Sequence, residues 1–221
     1  AEALLRIHDK NGNFISPAEA IPILEESGLI IPVGKWIIQN AFSMCTECRK
    51  YYPEFRVSIN LSYVQILKSP LMMELKQIID HSGISCSGII VELTESGYLE
   101  GTPAVRSVWN DMKKLRIQIA LDDFGTGYSN LMNISNLEPD IVKLDRGFTL
   151  KALSRSYEYQ LMQYVIEMVH KLNQYVCVEG VETKEDLEKI KALGPDLIQG
   201  YYYSKPCSRD EFLKKFFGYS E

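Results

Sequence analysis

The feature that most constrains the fold is the alternation, along the whole chain, of short apolar stretches with amphipathic helical patterns. Several of these stretches are apolar almost throughout, as in Ile89-Ile90-Val91 and Ile117–Leu121. Strands have this composition when helices cover both faces of a parallel sheet. The pattern predicts seven βα units, with strands at Ala3–Ile7, Phe55–Leu61, Gly88–Thr94, Ile117–Asp123, Asp140–Asp145, Tyr175–Val181 and Asp196–Tyr201.

Seven such units are one short of a closed eight-stranded barrel, so the sequence predicts an α/β fold of the TIM-like (β/α)8 type. The 221 residues contain no internal repeat and no Pro/Ser-rich linker, which predicts one domain over residues 1–221. Because the sequence begins inside the first predicted strand, we expect that an upstream strand has been trimmed and that the chain is a fragment of a larger multidomain protein. An open doubly wound sheet is the alternative, but no glycine-rich phosphate loop follows a strand.

Short motifs mark the ends of several predicted helices. Ser16-Pro17-Ala18-Glu19 predicts an N-cap, a first-turn proline and a capping-box glutamate. The same box recurs at Ser208–Glu211 and, more weakly, at Thr183 with Asp186. A glycine after a helical pattern predicts a left-handed C-cap, and such glycines are Gly28, Gly83 and Gly194.

Composition and charge exclude several classes of protein. The net charge of -5 disfavours binding to DNA or RNA polymers, whose backbones attract basic surfaces. No apolar run reaches the roughly 18 residues that a membrane-spanning helix needs, and we find no signal peptide. Five scattered cysteines do not suit a disulfide framework, which predicts a cytoplasmic location, although the parent protein could be anchored to a membrane.

The cysteines and histidines of the chain do not form an evident metal site. Cys45 and Cys48 lie three residues apart in a helical pattern over Val33–Tyr52, without a second pair or a nearby histidine. We therefore expect them to be partly buried helix residues. The histidines lie in polar or helical contexts that favour structural or solvated roles, and they are His8, His81 and His170.

Polar residues recur near the carboxyl ends of the predicted strands, which is where βα barrels build their sites. One such residue is usually a helix cap or turn residue. Because alternate strand residues share a face, residue parity places all of them in one register, and a shared register points to a site. The set consists of Asn60, Glu92, Asp122, Lys143, Glu179 and Gln199.

The acidic members of this set predict a site for hard cations. Carboxylates crowded at one barrel mouth repel one another unless a cation intervenes, and oxygen ligands suit Mg²⁺ or Mn²⁺ rather than zinc. The adjacent pair Asp122-Asp123 could bridge two ions. Two metals are the standard device for attack of water on a phosphodiester, and Lys143 could position that water or offset charge. A lyase or aldolase with Lys143 as a Schiff-base nucleophile is an alternative, but the surrounding acids favour its protonated form.

A series of motifs follows in a fixed order along the chain. They are Glu2-Ala3-Leu4 with Leu5-Arg6, Ser16-Pro17, Glu25-Glu26-Ser27-Gly28-Leu29-Ile30, Asn60-Leu61-Ser62, Glu92-Leu93-Thr94-Glu95, Asp122-Asp123-Phe124-Gly125-Thr126-Gly127, Lys143-Leu144-Asp145, Glu179-Gly180-Val181-Glu182 and Gln199-Gly200-Tyr201. Each motif is weak alone. In this order and spacing they resemble, over essentially the whole chain, the EAL family of cyclic di-GMP phosphodiesterases.

The resemblance implies a modified barrel whose first strand runs antiparallel, two Mg²⁺ or Mn²⁺ ions, and hydrolysis of cyclic di-GMP to linear pGpG. It implies that Glu2, Asn60, Glu92 and Asp122 bind the first metal, and that Asp122, Asp123 and Glu179 bind the second. Lys143 then contacts the attacking water, while Glu182 and Gln199 complete the catalytic site by hydrogen bonding. The remaining implied roles are substrate binding for Arg6 and Asp145, and anchoring of the loop after Asp123 for Glu95.

The resemblance also implies a homodimer and fusion to sensory or cyclase domains. The chain departs from the usual family pattern at Ile7-His8, at Arg146-Gly147-Phe148 and at Asn133–Asn136, which bears on affinity and control more than on chemistry. A catalytically inactive receptor for cyclic di-GMP is the alternative function. Such members usually lose metal ligands or the lysine, and here all are retained.

Overall fold

The computed structural model describes residues 1–83, 85–94, 102–126 and 138–218. The strands are β1 (Glu2–Ala3), β2 (Ile7–His8), β3 (Phe14–Ile15), β4 (Val57–Asn60), β5 (Ile89–Thr94), β6 (Gln118–Phe124), β7 (Ile141–Leu144), β8 (Tyr175–Val178) and β9 (Leu197–Ile198). The helices are α1 (Pro17–Glu26), α2 (Ile30–Cys48), α3 (Tyr63–Lys68), α4 (Leu71–Ser82), α5 (Pro103–Lys114), α6 (Arg146–Ser154), α7 (Ser156–Lys171), α8 (Lys184–Lys191) and α9 (Arg209–Phe217).

These elements fall into two compact units, which we describe separately. The first unit takes its described residues from Ala1–Glu92, Gly101–Gln118 and Ser208–Glu221. The second takes them from Leu93–Glu100 and Ile119–Cys207.

The first unit is built on parallel pairing of β1 with β4 and of β4 with β5. The register places Glu2 beside Ser58 and Asn60 beside Glu92. Alternate residues of β4 and β5 are apolar and fully buried, as at Ile59 and Val91, and they form the core under α2. All described pairs of this sheet are parallel, so the antiparallel first strand that the resemblance implies is not among the described residues and stays a prediction.

The predicted strand Ala3–Ile7 is wrong in its extent. The structure has two short strands there, and β2 pairs antiparallel with β3 rather than continuing β1. The turn between them is held by Asp9, whose Oδ1 accepts hydrogen bonds of 2.8 Å from the backbone N–H groups of Asn11 and Asn13. The side chain of Asn13 also lowers the pKa of Asp9. The Asn-Gly dipeptide at 11–12 is a hairpin signal that could have revealed this turn.

The helix ends follow the predicted motifs with one exception. Capping boxes are confirmed at Thr183 and Ser208. At Ser16 the predicted box is wrong, because the backbone carbonyl of Ser16, and not its hydroxyl, accepts the N–H of Glu19 at 3.0 Å. The three glycines expected after helices have positive φ, and they are Gly28, Gly83 and Gly194.

The second unit has β6, β7, β8 and β9 as successive parallel neighbours. Two acids at strand starts fix this arrangement. Asp140 accepts the backbone N–H of Ile119 at 2.8 Å, and Asp196 accepts that of Val176 at the same distance. Each carboxylate thereby joins the start of its own strand to the preceding strand in the sheet, which sets the register on which the positions of the following polar side chains depend.

Cys45 and Cys48 lie on the buried face of α2 and are free thiols. The helix begins three residues before the predicted start at Val33 and ends at Cys48. The Cys45 Sγ lies 3.5 Å from the carbonyl oxygen of Gly88. The expectation that these cysteines are helix residues is confirmed, and they are more deeply buried than expected.

Among the described residues, no helix combines the length and the apolar composition that crossing a membrane requires.

Burial raises the pKa of the Cys48 thiol to about 11, so about one thiol in a thousand is ionised at pH 8. We expect iodoacetamide at pH 8 to alkylate Cys207, which is exposed, and to leave Cys48 unmodified in the folded chain. Peptide mass spectrometry measures both sites, and denatured protein provides the control in which both react. Equal rates at Cys48 and Cys207 in the folded chain would contradict this account.

Candidate active site

The structure places the polar residues singled out from the sequence at the carboxyl ends of six strands. Asn60 is the last residue of β4, and Glu92, Asp122 and Lys143 lie in the second halves of β5, β6 and β7. Glu179 and Gln199 directly follow β8 and β9. Each unit therefore carries its own group of candidate site residues.

The first unit brings together Glu2, Asn60 and Glu92 on neighbouring strands. The Asn60 side-chain nitrogen donates a hydrogen bond of 2.8 Å to the Oε1 of Glu2. Glu92 is 3% exposed and lies beside Asn60 in the register of β4 and β5. An asparagine that donates through its nitrogen keeps its amide oxygen as an acceptor. This group therefore presents oxygen atoms, which are the ligands that hard cations prefer.

The second unit centres on Lys143, whose side chain is 4% exposed. Its Nζ lies 2.8 Å from the Oε1 of Glu179 and 3.1 Å from the Oδ1 of Asp122. Among the described residues, that buried Oδ1 has no hydrogen-bond partner of good geometry, so the nearby ammonium group is the contact that stabilises it. The two carboxylates thus contact the same ammonium group, and removing that group would leave them close to each other without it.

Asp123 differs sharply from its neighbour Asp122. In a regular strand, adjacent side chains point to opposite faces. Here the register of β6 against β7 shifts between Leu121 and Phe124, and Asp123 has a φ of 60°. A bulge of this kind re-aims side chains. Asp122 is buried while Asp123 is exposed, so the bulge presents two consecutive carboxylates in different surroundings.

Glu182 makes an ion pair that sequence reasoning missed. Its Oε1 accepts hydrogen bonds from the Nη2 of Arg146 at 2.8 Å and from the Nε at 3.2 Å. The hydrogen bond and charge of Glu182 raise the pKa of Arg146 above its usual range. The sequence offered one signal, because Arg146 follows Lys143 at the same interval at which Glu182 follows Glu179.

Three further candidates lie outside these groups. The Oδ1 of Asp145 accepts the backbone N–H of Gly147 at 2.7 Å and caps α6. The Arg6 side chain is exposed and donates to the carbonyl oxygen of Leu5 at 2.9 Å. Glu95 lies outside the described residues. The structure thus gives Asp145 a helix-capping role, and the substrate-binding roles of Asp145 and Arg6 stay predictions.

Within the described ranges, no three Asp, Glu, His or Cys side chains form a group that could hold a metal ion. The donors nevertheless fit a hard divalent cation in their chemistry. They are carboxylate and amide oxygen atoms, the type of ligand that Mg²⁺ and Mn²⁺ prefer.

Comparison with known proteins identifies the relatives of the chain. The sequence model of the EAL domain matches residues 1–206. The cyclic di-GMP phosphodiesterase PdeF of Escherichia coli K12 is 32% identical over 205 residues, which cover 93% of this chain and 27% of PdeF. The first curated relatives are all much longer, since the chain spans between 25% and 31% of their length.

Solved structures agree with this result. The EAL enzyme Bd1971, bound to cAMP and cyclic di-GMP, has a TM-score of 0.91 and 30% identity, covering 97% of this chain and 59% of that one. The calcium and cyclic di-GMP complex of Klebsiella pneumoniae BlrP1 has a TM-score of 0.80 and 25% identity, covering 94% and 51%. The likeness to EAL structures confirms the predicted α/β class with a TIM-like barrel.

Replacing Lys143 tests the charge balance of the second unit. We expect Lys143→Met to lower the free energy of unfolding by about 3–5 kcal/mol, because it leaves two carboxylates facing each other without a cation. Chemical denaturation measures the change. Adding Glu179→Gln should recover part of the loss, since it removes one of the two charges.

Lys184→Met is the matched control, because it removes an exposed lysine that lies 3.9 Å from Glu188. Exposed pairs of this kind contribute little to stability. Equal stability of Lys143→Met and the unmodified chain would contradict the assigned role of the ammonium group.

Proposed function

Because the chain belongs to the EAL domain family, we propose that it hydrolyses cyclic di-GMP to linear pGpG in a reaction that requires divalent metal ions. The observation that carries this proposal is the buried contact of Lys143 with Asp122 and Glu179. A buried ammonium beside acidic strand ends suits phosphodiester chemistry, in which water must be positioned and negative charge offset.

The proposed cofactors are two Mg²⁺ or Mn²⁺ ions. When bound, such ions activate water and stabilise both the attacking and the leaving oxygen of an in-line displacement. The oxygen donors of each unit support this choice, as does the calcium complex of BlrP1. The proposed ligands are Glu2, Asn60, Glu92 and Asp122 for one ion, and Asp122, Asp123 and Glu179 for the other.

The proposed roles of the other side chains follow from their chemistry. Lys143 donates a hydrogen bond to the attacking water and holds the carboxylates of Asp122 and Glu179. Glu182 and Gln199 contribute hydrogen bonds at the catalytic centre. Arg6 contacts a substrate phosphate, Asp145 lines the substrate pocket, and Glu95 anchors the loop after Asp123.

We propose further that residues 1–221 act as one EAL domain within a longer cytoplasmic or membrane-anchored protein, as a homodimer. The greater length of the curated relatives supports a longer parent that also carries sensory or cyclase domains. The partner of the site is then the second messenger cyclic di-GMP, and not a nucleic acid polymer. The net charge of -5 agrees with that choice.

The direct test incubates the chain with cyclic di-GMP and either Mg²⁺ or Mn²⁺ and separates the products by chromatography. We expect pGpG that disappears with EDTA and that falls about 100-fold or more in Glu92→Ala and Asp122→Asn, because each change removes a proposed ligand. Asp111→Asn is the control, since Asp111 lies in an exposed pair with Lys114.

Absence of product with either metal would overturn the proposed hydrolysis. If cyclic di-GMP still binds under those conditions, the chain is a receptor for the nucleotide. Equal loss of activity in Asp111→Asn would show that the effect of Asp122→Asn is not specific to the site.

A further inference from the structure

In the second unit, two ion pairs share a three-residue interval, which separates their two cations and also their two carboxylates. Lys143 and Arg146 lie three residues apart at the end of β7, and Glu179 and Glu182 lie three residues apart after β8. The shorter contact of each pair is 2.8 Å, from Lys143 Nζ to Glu179 and from Arg146 Nη2 to Glu182. Because β7 and β8 are parallel and Lys143 lies beside Cys177, the chain after β8 runs alongside the chain after β7.

The segment Glu179–Glu182, which we call the glutamate turn, packs directly against the stem of Arg146. A Cβ atom at Gly180 would lie 2.8 Å from the Cβ of Arg146 and 3.0 Å from its Cα. Gly180 also has a φ of 80°, a conformation that favours glycine. Arg146 therefore contacts the glutamate turn twice, through its stem at Gly180 and through its guanidinium at Glu182.

The opposite side of the glutamate turn is held by the segment after β9. The backbone N–H of Val181 donates to the carbonyl oxygen of Gln199 at 3.3 Å, and the Val181 carbonyl oxygen accepts the N–H of Tyr202 at 3.0 Å. The first of these bonds is long. The N–H of Glu179, at the start of the turn, also donates to the carbonyl oxygen of Leu144 at 3.1 Å. Backbone hydrogen bonds thus hold the start and the middle of the turn, and the guanidinium of Arg146 holds its end at Glu182.

The geometry of the Arg146 guanidinium suits a role in orienting Glu182 rather than in raising the free energy of unfolding. Two N–H groups, Nε and Nη2, converge on the Oε1 of Glu182, which fixes the carboxylate and leaves its Oε2 unused by the arginine. A lysine could not supply this fork. The side chains of Arg146 and Glu182 are 58% and 39% exposed, and pairs that exposed contribute little to the free energy of unfolding.

We propose that Arg146 is a positioning residue that fixes the glutamate turn and thereby orients Glu182 and Glu179 for the reaction. This inference rests on the proposed hydrolysis of cyclic di-GMP. Lys143 fixes the buried end of the turn and Arg146 fixes its exposed end. Neither role of Arg146 requires contact with the substrate.

The kinetic test compares Arg146→Gln and Arg146→Lys with Arg155→Gln. Arg155 is the matched control, because its exposed side chain pairs with Glu158 at 3.1 Å in the same unit. We expect Arg146→Gln to lower kcat about 10- to 100-fold, the usual loss when a partner that orients a site residue is removed. KM should stay within about two-fold, and the melting temperature should not change. Arg146→Lys should restore only part of the loss, and Arg155→Gln should behave as the unmodified chain.

Three kinetic results would overturn the proposal. An unchanged kcat in Arg146→Gln would show that the turn does not need the arginine. A large rise in KM with an unchanged kcat would show that Arg146 binds substrate instead. Equal losses in Arg146→Gln and Arg155→Gln would show a general effect of removing surface charge.

Amide hydrogen exchange provides a second readout that does not depend on hydrolysis. We expect the Val181 amide to exchange about 10-fold faster in Arg146→Gln than in the unmodified chain, and not in Arg155→Gln. If the unmodified chain does not hydrolyse cyclic di-GMP, the proposed function fails. The exchange rate of the Val181 amide still decides whether Arg146 fixes the glutamate turn. Unchanged exchange at Val181 would overturn that role.

Discussion

Lys143 carries a positive charge into the interior of the second unit, where its partners are the carboxylates of Asp122 and Glu179. Lys143 and Asp122 are buried and Glu179 is half-buried, and charged groups in such positions are favourable only if each has a partner in good geometry. The strands on either side of β7 supply those partners, so the ion contacts depend on the register of the sheet. The contacts of Lys143 thereby hold the two carboxylates together at the carboxyl end of the sheet.

The alternating pattern of β7 makes this arrangement possible. Ile141 and Lys143 share one face of the strand and Val142 and Leu144 share the other, and all four residues are buried. Burial of the apolar residues stabilises the strand in the sheet. Because the strand is held in this way, Lys143 lies near its carboxyl end. In the first unit, β4 likewise combines buried apolar residues with a polar end. Ile59 is buried, and Asn60 is the last residue of the strand and lies beside Glu92.

Much of this architecture could be predicted because it follows from local periodicity. The predicted strands around Asn60, Glu92 and Lys143 agree with β4, β5 and β7 to within a few residues, and parity predicts their polar ends. The predicted strands do not include the hairpin after β1, although Asn11 and Gly12 signal a tight turn. The predicted strand Ala3–Ile7 joins the end of β1 to the start of β2, because the apolar residues on either side of Arg6 do not mark the break between them.

Other features depend on pairing between strands and could not be derived from one stretch of sequence. The bulge that separates Asp122 from Asp123 exists only in the register of β6 against β7. The pair of Arg146 with Glu182 requires β7 and β8 to be aligned first. Site roles that rest on the family resemblance stay predictions for other reasons, because Glu95 lies outside the described residues and the Arg6 side chain donates to the carbonyl oxygen of Leu5.

Direct measurement of Mn²⁺ binding tests the central claim most sharply, because it needs neither substrate nor turnover. Electron paramagnetic resonance of free Mn²⁺ gives the number of ions bound per chain. The account predicts two bound ions for the unmodified chain, reduced binding in Asp122→Asn, and unchanged binding in Asp111→Asn. No bound Mn²⁺, or binding that is indifferent to Asp122, would contradict it.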